Sequence, residues 1–291
     1  MYLTSFLKYL EFEKRYSPHT VESYRNDIQQ FEHFLEKQFE TVEWAGVSPA
    51  MVRSWMVSLA ESGLTNRSIN RKISALQTFV KYLMRRGFLQ KNPLRKVVAP
   101  KVGKRLPVYV QESQMQSLLA EMKFSEDFVG IRDRLIIELF YTTGMRRSEL
   151  FGLKDEDIDL DKLTVKVMGK GSKERIIPIG PETRELVLRY RRLREEITGT
   201  GHFWITGEGK PIYPKLIYNI VRKYLSMVST VEKRSPHVLR HSFATHLANE
   251  GAELNAIKEL LGHANLSATQ VYTHNSIEQL RKVYEAAHPK S

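Results

Sequence analysis

Between Ser62 and Gln111 the chain carries 12 basic residues and no acidic one. A solvated charged surface mixes signs, so the missing acids say more than the abundant bases. Within this stretch, the residues from Thr65 to a capping Gly87 fit one helix. At about 100° per residue, Arg67, Arg71, Ser74, Thr78, Lys81 and Arg85 fall in one stripe, with Ile69, Ile73, Leu76, Val80 and Leu83 opposite. The apolar side has to pack inward. The cations and hydroxyls of the other side suit phosphate oxygens and base edges. An ordinary exposed helix face is the competing reading, and the lack of acids counts against it.

The whole chain repeats this bias more weakly. Its 291 residues hold 45 Lys and Arg against 33 Asp and Glu, a net charge of +12. Residues 1–110 account for 18 basic and 9 acidic residues, and 111–291 for 27 and 24. A polyanionic partner is expected, with general solubility the plainer alternative. A hydrophobic content of 42% supports a sizeable core, in one large domain or two ordinary ones. There is no cysteine, which excludes disulfides, thiol catalysis and Cys-based zinc sites. The segment MYLTSFLKYLEFEKRY lacks a signal-peptide core, and no apolar run approaches a membrane span. The expectation is a soluble cytoplasmic protein without a membrane partner.

The front of the chain reads as helices. Ser17-Pro18 and Ser48-Pro49 each place a capping serine before a proline at the first helical position. After the first pair, Val21, Tyr24, Ile28, Phe31, Phe34 and Leu35 recur at helical spacing; the second helix runs to Gly63. Residues 97–110, VVAPKVGKRLPVYV, read as an extended basic linker that includes Lys101, Lys104 and Arg105. Expected domains are therefore 1–96, helical, and 111–291, mixed, on either side of that linker. In the second, helices are predicted at 111–122, 128–142, 181–197, 214–229, 236–249, 253–261 and 276–287. A β-hairpin is predicted from Leu163–Met168, the turn GKGSKE and Arg175–Ile179. The fold class is mainly α with a small β-sheet.

Several groups in the second part invite chemistry. Arg146, in TTGMRRSEL, follows Gly144 and opens a helix, where an anion is favoured. Taken alone, it reads more readily as a surface arginine. Lys170 sits at the hairpin tip between Gly169 and Gly171, with Lys173 and Arg175 nearby, although solvated turn lysines are common. His237 and Arg240 share the first turn of the helix that Ser235-Pro236 begins. His237 and His241 are also spaced as metal ligands, but no HExxH motif and no nearby acid supports a metal. His263 follows Gly262, and Tyr272 comes nine residues later, a residue type that is usually structural. With no cysteine and no GxSxG, a covalent nucleophile would be Ser, Thr or Tyr.

Together these groups suit phosphodiester chemistry without a metal or other cofactor. A tyrosine oxygen can attack phosphorus, cations can neutralise the added charge, and a lysine can protonate the leaving 5′-oxygen.

The segments TTGMRRSEL, GKGSKER, HVLRHSFATHL and LLGHANLSATQVYTH, in that order, resemble the tyrosine recombinase (phage integrase) family, and its bacterial Xer-type members most. SPHTVESYRNDIQQFEHFL resembles its first DNA-binding segment. The resemblance implies that Arg146, Arg240 and His263 hold the scissile phosphate, His237 assists proton transfer, Lys170 is the general acid and Tyr272 is the nucleophile. Glu149 matches an acidic position that orients Arg146. It further implies a SAM-like core-binding domain and a catalytic domain closing on double-stranded DNA as a C-shaped clamp. A homo- or hetero-tetramer would form on two sites through the C-terminal segment, where Leu280, Val283 and Tyr284 supply an apolar face. Strand exchange would pass through a Holliday junction. Chromosome-dimer resolution with a cell-division DNA translocase, on the nucleoid, is the expected role. A mobile-element integrase, a type IB topoisomerase and a catalytically silent DNA-binding accessory protein are the alternatives, with a metal-dependent nuclease behind them.

Overall fold

Ser17 and Ser48 accept hydrogen bonds from the backbone N–H groups of Thr20 and Met51, and Thr65 does the same for Ser68. These caps start α2 (Pro18–Phe39), α3 (Pro49–Glu61) and α4 (Asn66–Arg85). Each satisfies an amide that the first helical turn leaves without a partner. The computed structural model describes residues 2–41, 43–103, 108–121, 124–169, 174–197 and 201–262. The chain divides into two compact units, Met1–Arg105 and Leu106–Ser291.

In the first unit, α1 (Tyr2–Lys8) runs on into a wider turn, Tyr9–Glu13, and joins the three capped helices. Their apolar faces meet around Phe6, Ile28, Phe31, Trp55, Phe79 and Leu83, all nearly or wholly buried. The two-faced character of α4 is borne out: Ile69, Ile73, Leu76, Val80 and Leu83 face this core. Arg67, Arg71, Lys81 and Arg85 are exposed. Yet the stripe is not free of acid partners. Arg71 pairs with Asp27 of α2, which is itself buried and also binds Lys72 at 2.9 Å. The wheel missed this because the carboxylate comes from another helix.

The linker also starts more firmly held than its composition suggests. Asn66 and Asn70, one helical turn apart on α4, donate to the carbonyls of Lys101 and Pro100 at 2.9 Å each. Lys104 and Arg105 lie outside the described residues.

The second unit is built round α6 (Phe128–Thr143), which buries residues on every side, as a central helix must. Around it stand α5 (Glu112–Gln116), α7 (Arg147–Phe151), α8 (Pro181–Ile197), α9 (Pro214–Val228), α10 (Pro236–Asn249) and α11 (Leu254–Leu261). The segment expected as one helix over 111–122 tightens to α5 and then widens over Ser117–Glu121. An antiparallel sheet of β1 (Ile158–Asp159), β2 (Thr164–Met168) and β3 (Glu174–Pro178) completes the unit, in that order. The predicted hairpin is β2–β3, with Val167 opposite Arg175. Among the described residues no helix is long and apolar enough to cross a membrane. The helix expected at 276–287 lies outside them.

Candidate active site

The site is assembled at helix ends. Gly144 terminates α6 in the left-handed region, at φ +58°, and turns the chain so that Arg146 stands at the entry to α7. The side chain of Arg146 donates through Nη1 to Glu149 Oε1 at 2.7 Å and through Nη2 to the carbonyl of Gly262 at 2.9 Å. Its backbone N–H donates to Glu149 Oε2 at 2.6 Å. By that last bond the Glu149 carboxylate occupies the amide at the entry to α7. Both carboxylate oxygens of Glu149 thus touch Arg146.

Arg240, near the start of α10, reaches the same place from the other direction. Its Nη1 donates to the carbonyl of Gly144 and its Nη2 to that of Leu261, both at 2.6 Å. Burial, with the positive charges of Arg146 and Arg175 beside it, lowers its pKa to about 10, against the pull of Glu149. It therefore remains a cation at neutral pH.

A third arginine, left ambiguous by the sequence, belongs to the cluster. Arg175 in β3 donates from Nη1 and Nη2 to the two oxygens of Glu149 at 2.7 and 2.8 Å, and from Nε to the carbonyl of Leu260 at 2.9 Å. Burial pushes the Glu149 carboxyl up, but the hydrogen bonds and charge of Arg175, and the bonds from Arg146, hold it at about 2. The last three carbonyls of the α11 turn, Leu260, Leu261 and Gly262, thus each receive one guanidinium. A helix C-terminus leaves such carbonyls without partners and carries partial negative charge, so cations are at home there. Three guanidiniums and one carboxylate leave a net charge of two positive. An arginine fork of this kind is the donor geometry that matches a phosphate.

Of the other expected residues, His237 is exposed one turn before Arg240 on α10, whose N-cap Ser235 makes no side-chain capping bond. Lys170, His263 and Tyr272 lie outside the described residues, as does the tail with Leu280, Val283 and Tyr284. A different histidine is structural. His246 is buried, with Nε2 at 3.0 Å from the Val110 carbonyl and Nδ1 at 2.9 Å from the Tyr141 hydroxyl. Among the described residues no group of three or more His, Cys, Asp or Glu side chains gathers as metal ligands would.

Comparison with known proteins places this geometry. The phage integrase family model matches residues 109–279, which contain the whole arginine cluster, and the model of the phage integrase N-terminal SAM-like domain matches residues 3–87. The chain belongs to the phage integrase family. Tyrosine recombinase XerC of Bacillus licheniformis is 40% identical to it, over 100% of this chain and 97% of the relative. Tyrosine recombinase XerC of Chlorobaculum parvum is 36% identical, over 99% and 94%. Among solved structures, the XerH site-specific recombinase bound to a palindromic difH substrate shares the fold with a TM-score of 0.71 at 22% identity, over 96% of this chain and 82% of that one. The Tn1549 transposon integrase in complex with circular intermediate DNA does so with a TM-score of 0.71 at 21% identity, over 96% and 98%. As a phage integrase family member with full-length XerC relatives, the chain is an enzyme of the tyrosine-type, site-specific recombinase class.

Proposed function

We propose that the protein cuts and rejoins double-stranded DNA at a specific site through a covalent 3′-phosphotyrosyl link at Tyr272. The observation that carries this reading is the convergence of Arg146 and Arg240, distant in sequence, on adjacent carbonyls of the turn that leads into His263. The Tyr272 oxygen forms the new bond to phosphorus as the bond to the 5′-oxygen breaks. A phenol with a pKa of about 10 must lose its proton on attack, and His237 assists that transfer. Lys170 protonates the departing 5′-oxygen. Arg146, Arg240 and His263 neutralise the charge that builds on the pentacoordinate phosphorus, a role in which fixed donors contribute several kcal/mol. The phosphotyrosine keeps the energy of the broken ester, so resealing consumes no ATP.

Arg67, Lys81, Arg85, Lys101, Lys104 and Arg105, with the outer part of Arg71, grip the backbone around the site. Four protomers work on two sites through a Holliday junction, joined by their C-terminal tails. The biological role is chromosome-dimer resolution on the nucleoid, driven by a cell-division translocase. XerC relatives that match the chain from end to end at 35–40% identity favour that role over mobile-element integration.

The test uses duplexes that bind the Tyr272→Phe protein, enriched from a random library. A nicked suicide version of the selected site is incubated with the wild-type protein in EDTA. A covalent protein–DNA adduct that Tyr272→Phe cannot form is the expected result. An adduct that survives the substitution removes the nucleophile. Cleavage that needs a divalent metal supports a nuclease, and relaxation of supercoils without site preference supports a topoisomerase.

A further inference from the structure

Arg175 is buried in β3 with its side chain only 4% exposed, so it cannot reach a DNA phosphate. A buried guanidinium is held only where its donors are met, since taking its charge out of water is costly. Here they are met by Glu149 on both oxygens and by the end of α11. Apart from its charge, whatever Arg175 does for the reaction passes through those two neighbours. Glu149 Oε1 is shared: it accepts from Arg146 and from Arg175, both at 2.7 Å.

Removing Arg175 therefore changes the state of Arg146. Glu149 would be left as a buried carboxylate with Arg146 as its one remaining guanidinium partner. The pair would close into a two-pronged ion pair, and Arg146 would give up its reach toward Gly262. The net charge of the cluster would also fall from two positive to one. A phosphodiester carries one negative charge and its pentacoordinate transition state carries two, so the loss falls on the transition state.

We propose that Arg175 is a positioning residue for strand cleavage: by holding both oxygens of Glu149 and the Leu260 carbonyl, it keeps Arg146 from being captured by Glu149. This rests on the reading of Arg146 as a phosphate-binding group given above.

The test compares single-turnover adduct formation on the nicked suicide duplex for the wild type, Arg175→Met, Glu149→Gln and Arg175→Met/Glu149→Gln. Arg175→Met should slow cleavage by about 100-fold, the scale for losing a transition-state donor. The double variant should be at least tenfold faster than Arg175→Met, because removing the uncompensated carboxylate releases Arg146. All four proteins are compared at a temperature at which each is fully folded, so a purely structural Arg175, whose loss would show only in the melting temperature, gives no such rescue of the rate. A double variant no faster than Arg175→Met, or an Arg175→Met protein within threefold of wild type, overturns the proposal. If Arg175→Met does not fold, Arg175→Lys decides. Lysine keeps the charge but cannot bridge both Glu149 oxygens and Leu260, so cleavage should fall about tenfold with DNA affinity unchanged; a wild-type rate overturns the proposal. A wild-type protein that forms no Tyr272 adduct would count against the proposed function instead, before Arg175 is tested.

Discussion

Arg240 Nη1 lies 2.6 Å from the carbonyl oxygen of Gly144, across 96 residues of chain. One guanidinium thereby ties the end of α6 to the end of α11, where it also binds Leu261. The helix ends need a cation, and the proposed chemistry needs a cation held in place. The same contacts serve both ends. Arg240→Lys keeps the charge but a single ammonium lacks the planar fork that spans both carbonyls. Cleavage should fall by about 10²–10³-fold. The melting temperature should fall as well, since an unpaired buried carbonyl costs about 1–3 kcal/mol. Adduct kinetics and thermal unfolding on the same preparations check both.

The two glycines at these helix ends should respond differently to alanine. Both have positive φ, +58° at Gly144 and +65° at Gly262, where an L side chain costs roughly 1–2 kcal/mol. At Gly144 the new methyl would also collide with the Phe243 ring and come within 2.9 Å of Leu261. Overpacking adds about 1–3 kcal/mol. At Gly262 the nearest atoms belong to the Arg175 side chain, at 3.1 and 3.2 Å, close enough to press on it but not to collide as at Gly144. Gly144→Ala should therefore lose about 2–5 kcal/mol in urea unfolding and Gly262→Ala about half as much. Gly262→Ala should still cut cleavage, because what yields to the methyl is Arg175. Equal destabilisation of the two would contradict this account.

What the sequence discloses follows from how local each signal is. Ser17-Pro18 and Ser48-Pro49 state their function within four residues, and the helices start where those pairs say. Gly144 and Gly87 end helices in the left-handed region, as glycine permits. Arg146 and Arg240 are legible through the motifs around them. Arg175 is not: within β3 it alternates inward with Ile177, and an arginine in an apolar register is a clue only once Glu149 is known to face it. Arg71 fails the same way, because Asp27 sits 44 residues earlier on another helix. The two-residue β1 is too short to show a period. The extent of α1, whose one buried residue is Phe6, rests on packing into the core of the first unit and has no capping pair to announce it.

That hidden ion pair separates the cations of α4 into two kinds. Lys81 and Arg85 are exposed, Arg85 with only a long 3.4 Å contact to the Tyr9 hydroxyl, and hold no carboxylate, so each alanine substitution should weaken DNA binding at all sequences and lower the salt slope by about one ion. Neither should change the melting temperature much. Arg71 holds Asp27, and its loss leaves a buried carboxylate with Lys72 and Gln30 nearby. Arg71→Ala should therefore lower the melting temperature, and Arg71→Ala/Asp27→Asn should recover part of that loss without restoring affinity. Binding isotherms between 50 and 200 mM salt, the range over which phosphate contacts tell, separate the two effects. Unchanged slopes for Lys81→Ala and Arg85→Ala would place that face away from DNA.

His246 gives the catalytic unit a pH-dependent stability. A carbonyl can only accept, so Nε2 carries the proton toward Val110 and Nδ1 accepts from Tyr141. Ser242 meanwhile accepts from the Val110 N–H at 2.9 Å, so α10 satisfies both backbone groups of that residue. Burial lowers the His246 pKa below 6.5, outweighing the opposing effects of the Val110 carbonyl and the Glu112 charge. The unfolded chain then binds a proton more readily than the folded one. Stability from this group is complete above about pH 6.5 and is lost as pH falls through the lower folded-state value. His246→Gln should be less stable than wild type at pH 7.5, because the glutamine does not match both partners. It should also lack the decline toward pH 5, so the gap between the two proteins narrows in acid. Parallel melting curves for the two proteins from pH 7.5 to pH 5 would show that His246 does not titrate with unfolding.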